Sequence, residues 1–321
     1  MDLIYTDAQG VDVGILDKYV LDLAFGSDEN DFELEMAISN TDIEEGAFIY
    51  IEGTEYGGIV DGLKVNTEKE VVQYMGRTFH GILNSKVIEP PEGQAHLKVS
   101  GDANEVIASL IADFGYNALF EVSDLISGIN ISNYQMDRYI RGYDGINKML
   151  KAHGAKLKVA FLDRKIHLSA EKVVDYSKDE EYTSDHYKFK IQKYKNKVNH
   201  LICLGKGELT ERQVVHLYVQ EDGSISDTPF FIGVDEYTDI YENTGIEEPE
   251  ELGNKGAEYL QRLNNNDSAE MNLTEDETLL DINDIVGTTE EKTGTTIINR
   301  VVKKIIKIKD NAIVTSYEVG D

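Results

Sequence analysis

The sequence predicts an α+β chain that is mainly β, with strand-rich ends around a small α+β middle. Three observations carry this reading. Two-residue alternation of apolar and polar side chains dominates from Met1 to about Ile88 and returns from about Tyr187. Helical spacing is confined to a few short stretches. The two ends also share one order of segments.

The elements follow in order. Tyr19, Leu21, Leu23 and Phe25 alternate with Val20, Asp22 and Ala24; after the turn GSDEND, Phe32, Leu34 and Met36 alternate with Glu33 and Glu35. That is a hairpin with one buried face. Further strands are expected at FIYIEG, GGIVDGLKV and EVVQYMGRTFHGIL, with TEKE as a turn, and short strands in this density suggest a small barrel or sandwich. Pro90 and Pro91 end strand pairing, because neither can donate to a ladder.

Beyond them Val106, Ile107, Leu110, Ile111 and Phe114 recur at helical spacing, with Asp102 and Glu105 as a capping box and Gly115 as a left-handed stop. A second helix is expected over GINKMLKAHG, capped by Asp144 and stopped at Gly154, with a hairpin of KLKVAF and KIHLSA packed on it. Farther on, VNHLICL and RQVVHLYV are expected to pair, with a hairpin tip at EDGS. A helix follows Pro249, with Leu252, Tyr259, Leu260 and Leu263 on one face; Gly253 and Gly256 lower its helix propensity and either permit close backbone packing or mark fraying. The polar run NNNDSAE leads back to strands. The expected domains are 1–91, a first antiparallel β-barrel; 92–185, the inserted α+β region; and 186–321, a second barrel with a helix near 249–264.

The second barrel rests on an internal echo. DIEEGAF, GGIVDGLKV and EVVQYMGR run parallel to DINDIVG, TTIINRVVKKIIKIK and AIVTSYEVG: an Asp-Ile start, a charged turn, a long strand, a polar turn and a closing strand.

Composition narrows the function classes. Hydrophobic residues make up 41% and charged residues 28% of 321, the balance of a folded protein. A net charge of −29 argues against nucleic-acid binding, which needs clustered Lys and Arg to release counterions. It also means that any oligomer requires locally complementary charge. No run approaches the ~20 apolar residues of a membrane span, and MDLIYTDAQG lacks the basic and apolar regions of a secretory signal. Cys203, the single cysteine, lies in the apolar run LICL and is expected to be buried and inert.

The candidate chemistry is sparse. Arg77, His80 and Asn84 cluster in one stretch, but general acid-base work needs a nucleophile or carboxylate held against them, and on a strand Arg77 and His80 face opposite ways. His200 and His216 lie on strands expected to pair, where cross-strand packing outweighs a metal site that lacks a third ligand. His153 falls in the last turn of its helix, His167 on the outer face of its hairpin, and His96 and His186 in loops or strand starts. GKGE at Gly205 to Glu208 lacks Walker spacing, and the acidic runs DEND, EEYTSD and EDETLLD lack EF-hand order. No catalytic, cofactor-binding or metal residue is therefore expected, and no cofactor. Two basic segments break the acidic background, KFKIQKYKNK and RVVKKIIKIK. The second, with Arg300, Lys303, Lys304, Lys307 and Lys309, fits helical spacing but reads as a strand from its β-branched content and the turn after it. Its lysines are either plain solvated surface or suited to meet the acidic face of a neighbouring copy, which makes these five the candidate subunit-interface residues.

The ordered combination of YTDAQGVDVG, LDLAFGSDENDFEL, GRTFHGILNSKVIEPPEG, VSGDANEVI, RYIRGYDGINKMLKAHGAKL and VNHLICLGKGELTERQVVHLYV resembles the siphovirus-type tail hub proteins of phages and prophages of Gram-positive bacteria, related to the baseplate hubs of contractile phages and injection systems. The resemblance spans nearly the whole chain. It implies two tube-like β-barrel domains around an inserted region, a homotrimer whose six barrels form a pseudo-sixfold ring, and partners in a tail tube or distal tail protein on one side and a spike or fibre on the other. DNA would pass through the channel without specific binding, in a virion tail assembled in the host cytoplasm. Some hubs carry a hydrolase in an added domain; here the chain ends at EVGD, shortly after the second barrel, so none is expected. A cell-wall hydrolase using Arg77 and His80, or a monomeric binding module, are the rival classes.

Overall fold

The computed structural model describes residues 2–39, 43–177, 181–183, 188–192, 197–264, 268–274, 280–310 and 312–320. His186, Asn311 and residues 275–279, which begin the run EDETLLD, lie outside them.

Strands open the chain: β1 (Leu3–Thr6), β2 (Asp12–Leu16), β3 (Val20–Gly26), β4 (Asp31–Ala37), β5 (Phe48–Tyr50), β6 (Gly57–Asn66) and β7 (Val71–Thr78). The α+β region follows as α1 (Phe79–Asn84), β8 (Val87–Ile88), β9 (Lys98–Asp102), α2 (Ala103–Asp113), β10 (Phe120–Val122), β11 (Asn130–Gln135), β12 (Ile140–Arg141), α3 (Gly142–Ala152), β13 (Ala155–Leu162) and β14 (Lys165–Lys172). Then come β15 (Glu181–Thr183), β16 (Lys188–Gln192), β17 (His200–Leu204), β18 (Val214–Val219), β19 (Ile225–Ser226), β20 (Thr238–Glu242), α4 (Pro249–Asn264), β21 (Ser268–Thr274), β22 (Ile285–Glu290), β23 (Thr295–Lys309) and β24 (Ala312–Gly320). The chain is α+β and mainly β, as the alternation predicts. It divides into two compact units: Met1–Lys190 with Glu270–Val319, and Ile191–Ala269 with Gly320–Asp321.

The large sheet of the first unit joins the two ends of the polypeptide. Its strand order is β16-β21-β24-β23-β3-β4-β7-β6-β5-β1-β2, with β22 also beside β23 and β15 beside β22. One order is thus read twice. The succession β3, β4, β7, β6, β5, β1 is matched by β16, β21, β24, β23, β22, β15, so the echo in the sequence is an echo in topology. The closing strands carry the same bond: Tyr74 on β7 accepts the Ile43 amide at 3.1 Å, and Tyr317 on β24 accepts the Leu280 amide at 3.1 Å. The copies diverge at the outer strand, since β1 and β5 are antiparallel whereas β15 and β22 are parallel.

The two copies meet where β23 pairs antiparallel with β3, from Lys303 opposite Gly26 to Lys309 opposite Val20. Leu21, Leu23, Phe25, Ile306 and Ile308 are buried along this seam in one core cluster. Burying each such side chain contributes roughly 1.5–3 kcal/mol, so the seam is a strong joint. Gly26 ends β3 with φ +128° at a point where a Cβ would lie 2.2 Å from the Val302 carbonyl oxygen.

In the α+β region α2 begins as predicted, with Asp102 accepting from the Asn104 amide at 3.0 Å. Its carboxylate also accepts from Ser127 and Gly128, which together with the Asn104 amide hold its pKa below the ordinary range against the opposing effect of burial. Gly115 follows the helix with φ +74°. Two expectations are corrected. The strand through EVVQYMGR stops at Thr78, whose hydroxyl caps α1 by accepting from the Gly81 amide at 3.3 Å. A threonine in extended backbone one position before a helix offers that acceptor, and strand alternation hides it. The second helix is entered from Arg141, which makes no side-chain cap bond, while Asp144 lies inside the first turn with its amide donating to Asn84 Oδ1 at 3.3 Å.

The second unit is a four-stranded sheet ordered β19-β18-β17-β20 with α4 packed on it. β17 and β18 pair antiparallel as predicted, while the parallel pairing of β17 with β20 has no local signal in the sequence. Leu252 and Leu260 are fully buried against Leu201 and Cys203. A Cβ on Gly256 would fall 2.2 Å from Cys203 Sγ, so the glycine is what lets the helix approach the sheet.

Candidate functional site

Arg77 lines an open cleft with Asp31, Glu33 and Asp61, whereas His80 is buried away from solvent. Arg77 leaves β7 to form a two-toothed pair with Asp61, at 2.7 Å and 2.6 Å, with both side chains about two-fifths exposed. The Arg77 side-chain hydrogen bonds hold the Asp61 carboxyl below its ordinary range. Asn84 is structural: its side chain accepts from α3, and its carbonyl accepts from Arg141.

His80 sits on α1, not on a strand, and is 2% exposed. Its ring stacks on Phe25 at 4.6 Å and meets the edge of Tyr143 at 5.1 Å. Nε2 is 3.8 Å from Glu55, and burial depresses the imidazole pKa to about 4 despite that carboxylate. At neutral pH it is an uncharged core ring shut away from solvent. The carboxylate absent from its sequence neighbourhood is supplied by the loop between β5 and β6.

Glu55 serves another group first. Lys304 on β23 is 2% exposed, its Nζ lies 2.7 Å from Glu55 Oε1, and the rings of Phe25, Tyr56 and Tyr317 stand 5.8, 5.6 and 6.0 Å from the ammonium. Burial alone would lower the Lys304 pKa; Glu55 and the two tyrosines outweigh it, and the lysine is held charged. Lys303, opposite Gly26, pairs with Glu29 at 2.6 Å and Glu318 at 3.7 Å. Lys307 reaches Asp22 at 2.9 Å across the seam, and Arg300 donates to the Asn283 carbonyl. Lys309, at the end of β23, is exposed. For Lys303, Lys304 and Lys307 the complementary acidic surface is therefore the chain's own N-terminal half. The alternation of β23 predicts a strand, and the fold buries two of its lysines.

A second buried charge set ties the α+β region to the C-terminal segment. Lys156 on β13 lies 2.7 Å from Asp281 and 2.9 Å from Asp284, and Lys158 lies 3.0 Å from Asp281. Asp284 also accepts the amides of Val174 and Asp281, so a fully buried carboxylate has every oxygen occupied. Nothing in the sequence marks this set, because its members are more than a hundred residues apart.

In the second unit His200 and His216 do come together: His200 Nε2 is 2.8 Å from His216 Nδ1, and His200 Nδ1 is 2.7 Å from Glu236. The neutral arrangement that satisfies all three has His216 donating to His200 and His200 donating to Glu236. Among the described residues no cluster of three or more His, Cys, Asp or Glu is placed to hold a metal ion. Cys203 is buried, and burial pushes its thiol up to about 11. His153 caps α3, its Nδ1 2.8 Å from the Met149 carbonyl. Among the described residues no helix is long and apolar enough to cross a membrane.

No family model matches the chain, and no curated protein matches it by sequence. Solved structures do. A 43 kDa tail protein of prophage MuSo2 from Shewanella oneidensis is similar with a TM-score of 0.61 at 15% identity, over 99% of this chain and 98% of that one. A tail protein from Neisseria meningitidis MC58 is similar with a TM-score of 0.57 at 9% identity, over 100% and 96%. Prophage tail protein gp18 from Listeria monocytogenes EGD-e is similar with a TM-score of 0.52 at 12% identity, over 99% and 94%. The chain thus has the fold of prophage tail proteins along its whole length, as the ordered motifs of the sequence imply.

Proposed function

We propose that the protein is a structural tail hub: a homotrimer whose six half-sheets form a pseudo-sixfold collar between a tail tube or distal tail protein and a spike or fibre, with a channel for DNA and no reaction of its own. The observation that carries this reading is the doubled strand order with its head-to-tail seam. A seam between unlike edges of two similar halves is heterologous, and heterologous contacts that close make rings. In the second half, β23 uses one segment to pair with β22 and the rest to receive β3. In the first half, β6 pairs with β5 only through Gly57–Ile59. Its later residues, with Leu63 44% and Val65 50% exposed, are the counterpart of the segment that receives β3. The counterpart of β3 is β16, at the end of the sheet path. Pairing β6 of one copy with β16 of the next would repeat the internal seam three times around an axis.

The charges agree with this plan. β16 lies in a lysine-rich segment, as β23 does, and the acidic remainder of the chain would line a channel that repels DNA. Lys309, whose side chain is exposed at the end of the internal seam, is the proposed contact to the adjoining subunit.

The test is mass combined with cross-linking. Light scattering should report three copies. A Cys203→Ala chain carrying Val65→Cys and Lys190→Cys should yield covalent trimers, and nothing larger, with a short bis-maleimide. A monomer at all concentrations that hydrolyses cell-wall fragments would sink the proposal in favour of an enzyme; an inert monomer would favour a binding module.

A further inference from the structure

The second unit carries a loop whose construction the collar does not explain. Between β19 and β20 the chain runs TPFFIGVDEY, and its large apolar side chains face water: Phe230 is 46% exposed, Ile232 74%, Val234 99% and Tyr237 54%. Ile240 on β20 adds another at 56%.

This loop is fastened at both ends. Gln220 donates to the Thr228 carbonyl at 2.9 Å, and Phe230 and Phe231 meet edge to face at 5.0 Å. The Asn199 side chain donates to the Asp235 carbonyl at 2.7 Å and accepts the Tyr237 amide at 2.9 Å. His200, backed by His216, holds Glu236. Ordering a loop costs conformational entropy, and here the cost is met in the free molecule while the apolar tip stays uncovered, which is the economy of a preorganised binding element.

Charge decides what covers it. Between residues 213 and 254 there are eleven Asp and Glu and no Lys or Arg, and Asp227, Asp235, Glu236 and Asp239 flank the apolar tip. Outside its two lysine-rich strands, a second copy of a chain with net charge −29 would meet this surface with like charge. We propose that the loop Pro229–Tyr237 docks a different protein, one that presents an apolar pocket framed by lysine and arginine, with Ile232 and Val234 entering the pocket. Aliphatic anchors surrounded by complementary charge give affinity at the centre and specificity at the rim. The inference stands on the second unit alone and does not require the collar.

An amphipathic helical peptide of leucine and lysine serves as the probe, with polylysine and a leucine–glutamate peptide as controls, all against the full chain. The leucine–lysine peptide should slow hydrogen exchange at residues 229–237 more than elsewhere. Its affinity should fall at least about tenfold in Ile232→Ser/Val234→Ser, whose side chains are too exposed to matter for folding. Asn199→Ala, which frees the loop and leaves its apolar side chains intact, should weaken binding as well. Equal affinity in the double variant, equal protection by polylysine, or a change in the mass of the free protein caused by the double variant would each overturn the proposal, the last by showing that another copy occupies the loop. The collar is judged separately, since its mass and cross-linking do not involve this loop.

Discussion

Lys304 and Glu55 form an ion pair at 2.7 Å inside the first unit, one on the last long strand and the other on a loop of the N-terminal half. Removing one partner of such a pair leaves a buried charge uncompensated, at a cost of about 3–5 kcal/mol. Lys304→Met is expected to lower the unfolding free energy by that amount in chemical denaturation, and Lys304→Met with Glu55→Gln is expected to recover much of it. A single variant as stable as the parent would show that the pair does not hold the seam.

The burial of His80 makes a pH prediction. Its folded pKa of about 4 lies below the ordinary 6.5. As pH falls through 6.5 the unfolded chain takes up a proton that the folded one refuses, so the neutral ring's contribution is whole above that pH and is lost progressively down to about 4. The loss should reach on the order of 3 kcal/mol. Comparing stability–pH curves of the parent and His80→Phe, which keeps a ring against Phe25, isolates it: the difference should change between pH 6.5 and 4 and level off below.

Tyr74 and Tyr317 play one role in two places, each accepting a buried amide at 3.1 Å. Tyr74→Phe and Tyr317→Phe should each cost about 1–3 kcal/mol by leaving that amide without its acceptor. Hydrogen exchange should locate the loss at Ile43 in the first variant and at Leu280 in the second. Effects confined to one half would count against equivalent roles.

Gly256→Ala places a methyl group where Cys203 Sγ already lies, 2.2 Å away. Overpacking of this kind costs about 1–3 kcal/mol. Thermal unfolding should show the destabilisation, and hydrogen exchange should confine it to the second unit. Adding Cys203→Ala, which removes the sulfur, should restore part of it.

The strands, the capped helix at Asp102, the lysine-rich strand and the echo between the two ends are legible in the sequence because each is a local pattern, a period of two or 3.6 or a repeated order of turns. At Gly256 the sequence leaves close packing and fraying both open, because a glycine lowers helix propensity in either case, and the sulfur of Cys203 beside it decides for packing. The end of β7 at Thr78 is missed because alternation continues through it, and its cap is a single hydroxyl.

What the sequence by itself determined is therefore the fold class and the doubling, because both are written in local periodicity and in a repeated order of turns. Only the tertiary structure decided partners. It closed β23 onto the N-terminal sheet, gave Lys304 to Glu55 and Lys156 to Asp281 and Asp284, and brought Glu236 to His200. Those choices join residues far apart in the chain, where burial sharpens the demand for charge compensation and distance along the polypeptide carries no information about it.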